Sequence, residues 1–133
     1  MSQAASQASI FFEQVARERR VFSFLDEGHL LVLPMPDGEV SPFWSSLTRL
    51  TRVQRIHSKY RVLDRTEVPL ERFLSELLPF FESEQIRIGA NWSGPRLSGF
   101  DYSACDVGRN LDYWIRKLGA GYEGPSPVPS PRR

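Results

Sequence analysis

The 133-residue chain has little of what many functional classes require. Its one cysteine, Cys105, excludes an internal disulfide and is typical of a protein of the reducing cytoplasm. No apolar run approaches the roughly 20 residues of a membrane-spanning helix, and residues 1–7 lack the basic start and apolar stretch of a signal peptide. The 17 basic and 16 acidic residues nearly balance, which argues against a strongly polyanionic partner. These absences predict a cytoplasmic protein with no membrane partner.

Residues that carry catalysis are also scarce. The two histidines, His29 and His57, lie in different predicted elements, far from Cys105, and match no ligand spacing of zinc, iron or calcium. The acidic neighbour Asp106 disfavours a thiolate at Cys105, and Ser98 lacks the upstream glycine of a nucleophile elbow. No glycine-rich loop joins a predicted strand to a following helix, as a phosphate cradle requires. We therefore predict no enzymatic activity, no metal and no cofactor.

Core-forming residues, by contrast, are plentiful. The chain has 41% hydrophobic content with three tryptophans, four tyrosines and nine phenylalanines, which is enough to build one buried core. The composition changes at Gly119, after which proline, glycine and serine dominate up to two terminal arginines. Such a segment buries too little apolar area to offset its ordering entropy. We predict a single domain over residues 1–118 and a mobile C-terminal tail over residues 119–133.

The pattern of elements predicts an α+β fold, with about four helices packed on one antiparallel sheet of about five strands. Hydrophobic residues at helical spacing predict helices over residues 4–19, 46–59, 69–81 and 103–118. Alternating or continuous apolar runs predict strands over residues 21–25, 29–33, 39–43, 61–68 and 86–92. Turn residues between the first three strands predict an N-terminal meander. Pro79, inside the third helix, predicts a kink or a break there.

Positive charge concentrates between Arg49 and Arg65, where Asp64 is the one acid among six basic residues. The second predicted helix places the first four of these on one face. Arginine forks suit phosphate recognition. The candidate anion or nucleic-acid face therefore consists of Arg49, Arg52, Arg55, Lys59 and Arg61. The alternative is a solvated face paired with acids such as Glu67 and Glu71, and the lack of interleaved aromatic residues favours it.

Aromatic residues next to predicted loops form a second feature. Core packing explains most such residues, although a tryptophan beside a loop can also anchor an interface. The candidate protein interface consists of Phe43, Trp44, Asn91, Trp92, Ser93 and Arg96. The core interpretation is the favoured one for the tryptophans.

Three stretches covering about residues 2–110 resemble the bacterial domain-of-unknown-function 2750 family. They run from Ser2-Gln3-Ala4 through the Phe11/Phe12 helix to the strand at 21–27, from Pro42-Phe43-Trp44-Ser45-Ser46 to Arg49 and Gln54, and from Leu70-Glu71-Arg72-Phe73-Leu74 to Ile88-Gly89-Ala90-Asn91-Trp92-Ser93-Gly94. The Gly-Ala-Asn-Trp-Ser-Gly run is the most specific part. The chain departs from the family at Pro69, where a small capping residue is usual, and in its proline-rich tail. The resemblance implies the α+β architecture and offers no catalytic residues to carry over.

The small, enzyme-poor character of that family resembles immunity and accessory proteins of bacterial conflict systems, which is an analogy of type only. We therefore predict a non-enzymatic cytoplasmic protein-binding module, of the immunity or accessory kind, with a protein partner. The alternative is nucleic-acid or phospholigand binding through the arginine-rich helix face. A third hypothesis is an enzyme whose composite site forms only in an oligomer. Monomer and homodimer are both compatible with the sequence.

Overall fold

The structure is a computed structural model that describes residues 3–119. The helices are α1 (Gln3–Glu18), α2 (Leu47–Ile56), α3 (Leu70–Arg72), α4 (Leu78–Glu84) and α5 (Ala104–Gly119). A π-helical turn, Phe73–Leu77, joins α3 and α4 without a break. The five labelled segments therefore amount to four continuous helices within the described residues. The strands are β1 (Arg20–Asp26), β2 (His29–Leu30), β3 (Leu33–Met35), β4 (Gly38–Phe43), β5 (Asp64–Pro69), β6 (Arg87–Ala90) and β7 (Asp101–Tyr102). The predicted α+β class is confirmed.

The prediction of one antiparallel sheet of five strands is wrong. The described strands form two sheets, with the orders β2-β1-β5 and β3-β4-β6-β7, and β4 runs parallel to β6. The apolar run at residues 29–33 forms two short strands instead of one, because Leu31 hydrogen-bonds to β1 through its N–H only. The Leu31 N–H donates to the Phe24 carbonyl at 3.0 Å, while its own carbonyl accepts from the Ser41 hydroxyl at 2.7 Å. One continuous strand therefore becomes β2 in the first sheet and β3 in the second.

Both turns of the predicted N-terminal meander form, but they join strands of different sheets: β1 pairs antiparallel with β2 in the first sheet, and β3 pairs antiparallel with β4 in the second. Glu27 and Gly28 both have positive φ (53° and 85°), as a two-residue hairpin of type I′ requires, and they join β1 to β2. The other neighbour of β1 is β5. The two sheets meet at an isolated pair, Phe22 of β1 and Trp44 directly after β4, which exchange two backbone hydrogen bonds of 2.8 Å.

The third helix shows how the chain accommodates Pro79. A proline has no N–H, and its ring clashes with the carbonyl four residues earlier in an α-helix. The turn before it is π-helical, and the Leu78 N–H bonds to the Phe73 carbonyl. Of the predicted kink or break, the break is absent, because the helix continues to Glu84, and the π-helical turn is the irregularity that accommodates the proline.

Two hydrophobic cores lie on opposite sides of the strands, because neighbouring residues such as Val21 and Phe22 enter different cores. The first core packs under α1, α3–α4 and α5 and includes Phe11, Phe43, Phe73, Phe81, Ile88, Val107 and Leu111. The second packs under α2 and includes Phe22, Phe24, Val40, Trp44, Leu50, Val53, Tyr60 and Trp92. Helix α2 contributes Leu50 and Val53 to this second core.

The predicted domain and tail divide near the end of α5, whose last residue is Gly119. The rest of the predicted tail, residues 120–133, lies outside the described residues. Within residues 3–119, no helix has the length and apolar character needed to cross a membrane.

Candidate binding surface on helix α2

Four of the six residues of the candidate protein interface are buried. Phe43 and Trp44 are 0% exposed, Asn91 is 1% and Trp92 is 3%. Phe43 lies in the first core, edge-on to Phe73 at 5.1 Å. The expectation that these loop aromatics present an exposed surface is therefore wrong, and the core interpretation of the tryptophans is correct. Of the remaining two, Ser93 is half-buried and Arg96 is exposed.

Trp92 is buried because glycines allow close approach to its indole ring. A Cβ at Gly89 would lie 2.6 Å from the ring, and one at Gly99 would lie 2.7 Å from it. The indole N–H of Trp92 donates to the Phe100 carbonyl at 2.9 Å, and that of Trp44 donates to the Trp92 carbonyl at 2.8 Å. Both ring donors are thus satisfied inside the protein, where an unpaired N–H would be costly.

Asn91 joins three separate segments through its buried amide. It has a left-handed backbone (φ 53°), which asparagine tolerates better than most residues. Its Oδ1 accepts from the Ser45 N–H at 2.9 Å, and its Nδ2 donates to the Ser45 hydroxyl at 3.0 Å and the Gln7 carbonyl at 3.2 Å. The Ser45 hydroxyl in turn donates to Gln14 at 2.6 Å. This network fixes the N-terminal end of α2 against α1 and the loop after β6.

The candidate anion face divides into residues that serve the fold and residues that do not. Arg49 is half-buried and donates to the Gln7 side chain. Burial and the positive charge of Arg52 lower the pKa of the Arg49 guanidinium. Arg61 donates to the carbonyls of Gln54 and Arg55 at 2.8 Å each, so it satisfies the C-terminal end of α2.

Lys59 does not lie on the predicted helical face, because α2 ends at Ile56 and Lys59 belongs to the 3-10 turn Ser58–Tyr60. Its ammonium lies over the Tyr60 ring, 5.4 Å from the centroid. The second predicted helix was thus three residues too long at its end. A continuous helical face of four basic residues does not form.

The side chains of Arg52 and Arg55 are exposed, and neither side chain makes an ion pair or hydrogen bond within residues 3–119. The acids that the sequence suggested as partners are occupied elsewhere. Glu67 pairs with Arg20 at 3.7 Å, and Glu71 pairs with Arg19. The prediction that these acids neutralise the stripe is therefore wrong, and α2 carries positive charge that this part of the chain leaves unpaired.

Exposed aliphatic residues adjoin these arginines. Ile56 is 50% exposed and lines a cleft together with Arg52 and His57. Ile10 of α1 is 43% exposed and lines a groove between α1 and α2 together with Arg52. We call this patch the arginine–isoleucine surface; its members are Ile10, Arg52, Arg55 and Ile56. The sequence-based prediction included neither isoleucine. The helical spacing offered a signal for Ile56, which does not lie on the face of α2 that Leu50 and Val53 form.

The openings beside this surface differ in size. The cleft that Ile56 lines measures about 20 Å³, and the Nε2 of His57, which also lines it, lies 2.9 Å from the Gly94 carbonyl. That volume accommodates about one water molecule. The groove between α1 and α2 is open, at about 510 Å³, and Glu18 faces Arg49 and Arg52 across it. An extended contact fits this geometry better than an enclosed small ligand.

Within the part of the chain that the structure describes, no three His, Cys, Asp or Glu side chains are grouped closely enough to hold a metal ion. Cys105 is exposed, and its Sγ accepts from Arg109 at 3.4 Å. The candidate site is therefore described by charge and exposed apolar area, and not by a constellation of reactive groups.

Comparison with known proteins gives one match. The family model described as "Protein of unknown function (DUF2750)" matches residues 8–111. No curated protein and no solved structure matches the chain. The matched range contains all four residues of the arginine–isoleucine surface.

Proposed function

Because the chain belongs to the DUF2750 family, whose function is unknown, we propose its function from the described surface. The domain is a non-catalytic protein-binding module that contacts its partner through the arginine–isoleucine surface. The partner presents acidic side chains around a small apolar patch. We propose a role of the immunity or accessory kind, in which the domain covers a functional surface of another protein.

One observation carries the proposal: the unpaired Arg52 lines a cleft with the exposed Ile56 and a groove with the exposed Ile10, and the unpaired Arg55 follows it on the same helix. Arginine is enriched in protein interfaces, because its guanidinium forms directed hydrogen bonds with carboxylates while its stem packs on apolar groups. The unpaired charges of Arg52 and Arg55 favour acidic groups on the partner, which give specificity and faster association. Ile10 and Ile56 supply apolar surface that is removed from water when the partner binds.

The nucleic-acid alternative is weaker on the same surface. Three of its five basic residues, Arg49, Lys59 and Arg61, already contact groups of the domain. Non-specific binding of single strands also relies on aromatic side chains that stack on bases. The side chain next to the unpaired arginines is Ile56, which offers no such platform.

The experiment is affinity capture from cells that naturally produce the protein, with washes at low and high salt. The test variant is Arg52→Glu with Arg55→Glu. The matched control is Arg72→Glu with Arg116→Glu, which changes the net charge equally at exposed sites away from α2. We expect one stoichiometric protein that survives high salt with the wild type and the control and is lost with the test variant.

Three other outcomes would contradict the proposal. Nucleic acid that is recovered at low salt and lost at high salt, without a protein, would favour the alternative, because phosphate contacts weaken steeply with salt. Equal capture by the test variant and the control would place the interface elsewhere. Capture of neither class would remove the basis for a binding module.

A further inference from the structure

Strand β5 is an open edge of the first sheet. Its one neighbour is β1, and no other strand within residues 3–119 pairs with its outer side. The other edge strands are short: β2 and β7 have two residues each, and β3 has three, one of which is Pro34. Short strands and prolines protect a sheet edge from pairing with another chain. With six residues, β5 lacks that protection over most of its length.

The register identifies which backbone groups of β5 face outward. The Leu70 N–H bonds to the Arg19 carbonyl, so alternate residues back along the strand (68, 66 and 64) face β1. Their neighbours Arg65 and Glu67 face away. The residues of β1 that lie opposite them support this orientation. Phe24, opposite Arg65, and Phe22, opposite Glu67, direct their backbone groups away from β5, toward Leu31 and Trp44.

The outward N–H and C=O groups of Arg65 and Glu67 have no hydrogen-bond partner within the described residues. We propose that a second copy of this chain occupies this edge. The two β5 strands pair antiparallel about a two-fold axis at Thr66, with Arg65 of each copy opposite Glu67 of the other. The first sheets then join into one sheet of six strands.

The choice of a second copy rests on charge self-complementarity. In a regular ladder, outward-facing residues must pair with outward-facing residues, which leaves axes at residue 65, 66 or 67. An axis at Arg65 places two arginines opposite each other, and an axis at Glu67 places two glutamates opposite each other. Like charges directly opposite destabilise a sheet, and opposite charges stabilise it. The axis at Thr66 alone gives two Arg–Glu pairs.

The surrounding groups fit this register. The paired residues 65 and 67 exchange four backbone hydrogen bonds in total, and Pro69, the next outward-facing residue, has no N–H to extend the ladder. Arg65 uses its Nε for the Gln54 side chain at 2.8 Å, which leaves its terminal nitrogens for the partner's Glu67. Glu67 then lies between Arg20 of its own chain and Arg65 of the second copy. The dimer does not depend on the proposed protein partner.

The first test reverses the charges and measures mass by analytical ultracentrifugation over a range of protein concentrations. We expect a concentration-dependent dimer for the wild type, and a dissociation constant about tenfold or more weaker for Arg65→Glu or Glu67→Arg alone. The double variant restores the dimer. An equimolar mixture of the two single variants forms a heterodimer, because each then supplies the charge that the other lacks. Circular dichroism checks that each variant is folded.

The second test fixes the register by cross-linking in a Cys105→Ser background. Thr66 faces its own copy as a non-hydrogen-bonded pair, with about 4.5 Å between Cα atoms, a separation that suits a disulfide. Thr66→Cys therefore yields a disulfide-linked dimer on mild oxidation. Arg65→Cys is the control, because its two copies lie about 8–9 Å apart in this register and remain unlinked.

Three results would overturn the proposal. A wild-type monomer at every concentration would exclude the dimer. Unchanged dimerisation of the single charge variants would place the contact on another surface. Equal cross-linking at positions 65 and 66 would refute the register.

Discussion

Replacing Asn91 by alanine should destabilise the domain far more than a surface substitution does. The change removes three side-chain hydrogen bonds and leaves the buried Ser45 N–H without an acceptor. An unsatisfied buried donor costs about 1–3 kcal/mol. Alanine in the left-handed backbone of residue 91 costs about 1–2 kcal/mol more than a residue suited to it.

The expected loss for Asn91→Ala is therefore about 2–5 kcal/mol, a large share of the roughly 5–15 kcal/mol that stabilises a typical domain. Urea unfolding followed by tryptophan fluorescence measures it. With a slope of about 2 kcal/mol per molar urea, the midpoint should fall by about 1 M or more. Asn91→Gly separates the two causes, because glycine relieves the backbone strain and keeps the loss of hydrogen bonds.

The matched control is Asn110→Ala on α5. The Asn110 amide donates to the Asp106 carbonyl within its own helix, and alanine has the higher helix propensity. We expect a change within about 0.5 kcal/mol. If Asn91→Ala were as mild as this control, the network between α1, Ser45 and the loop after β6 would not hold the domain together as argued.

Three further predictions concern the fold. Gly89→Ala should destabilise by about 2 kcal/mol or more in thermal unfolding, because its Cβ would lie 2.6 Å from the Trp92 ring; a variant as stable as the wild type would contradict this packing. Gly108→Ala, in α5, should instead raise stability by about 0.5–1 kcal/mol, since its Cβ would meet Leu78 at an ordinary 3.8 Å, and a loss would refute the account. Burial raises the pKa of Tyr60 and, with Asp106, that of Tyr102. The contribution of these two tyrosines to the free energy of unfolding should therefore be fully present below about pH 10 and decrease as the pH rises further. The Tyr60→Phe/Tyr102→Phe variant should lose less stability than the wild type between neutral and alkaline pH, and an equal loss would contradict the direction of the two pKa shifts.

Local signals in the sequence account for the helices and for their N-caps. The Ser46 hydroxyl accepts from the Arg49 N–H at 3.2 Å, and the Ser103 hydroxyl accepts from the Asp106 N–H at 3.1 Å, as N-caps do. The stripe of α5 also enters the core as its spacing indicates, with Val107 and Leu111 fully buried. Capping and helical periodicity involve residues within one or two turns of each other, so the sequence carries them directly.

Strand neighbours could not be predicted in the same way. The parallel pairing of β4 with β6 joins residues more than 40 positions apart, and β7 has two residues and no pattern of its own. The burial of Trp44 depends equally on distant partners, because its ring packs edge-on to Phe24 and its indole N–H donates to the Trp92 carbonyl.

The central claim is that the arginine–isoleucine surface contacts another protein. The most direct measurement is photo-cross-linking in cells that naturally produce the protein, with a benzophenone side chain in place of Ile56. Phe80, on α4, is the matched control, because it is exposed to the same degree, 51% against 50%. We expect one discrete cross-linked protein from position 56 and none from position 80. Identical products from both positions, or none from position 56, would contradict it.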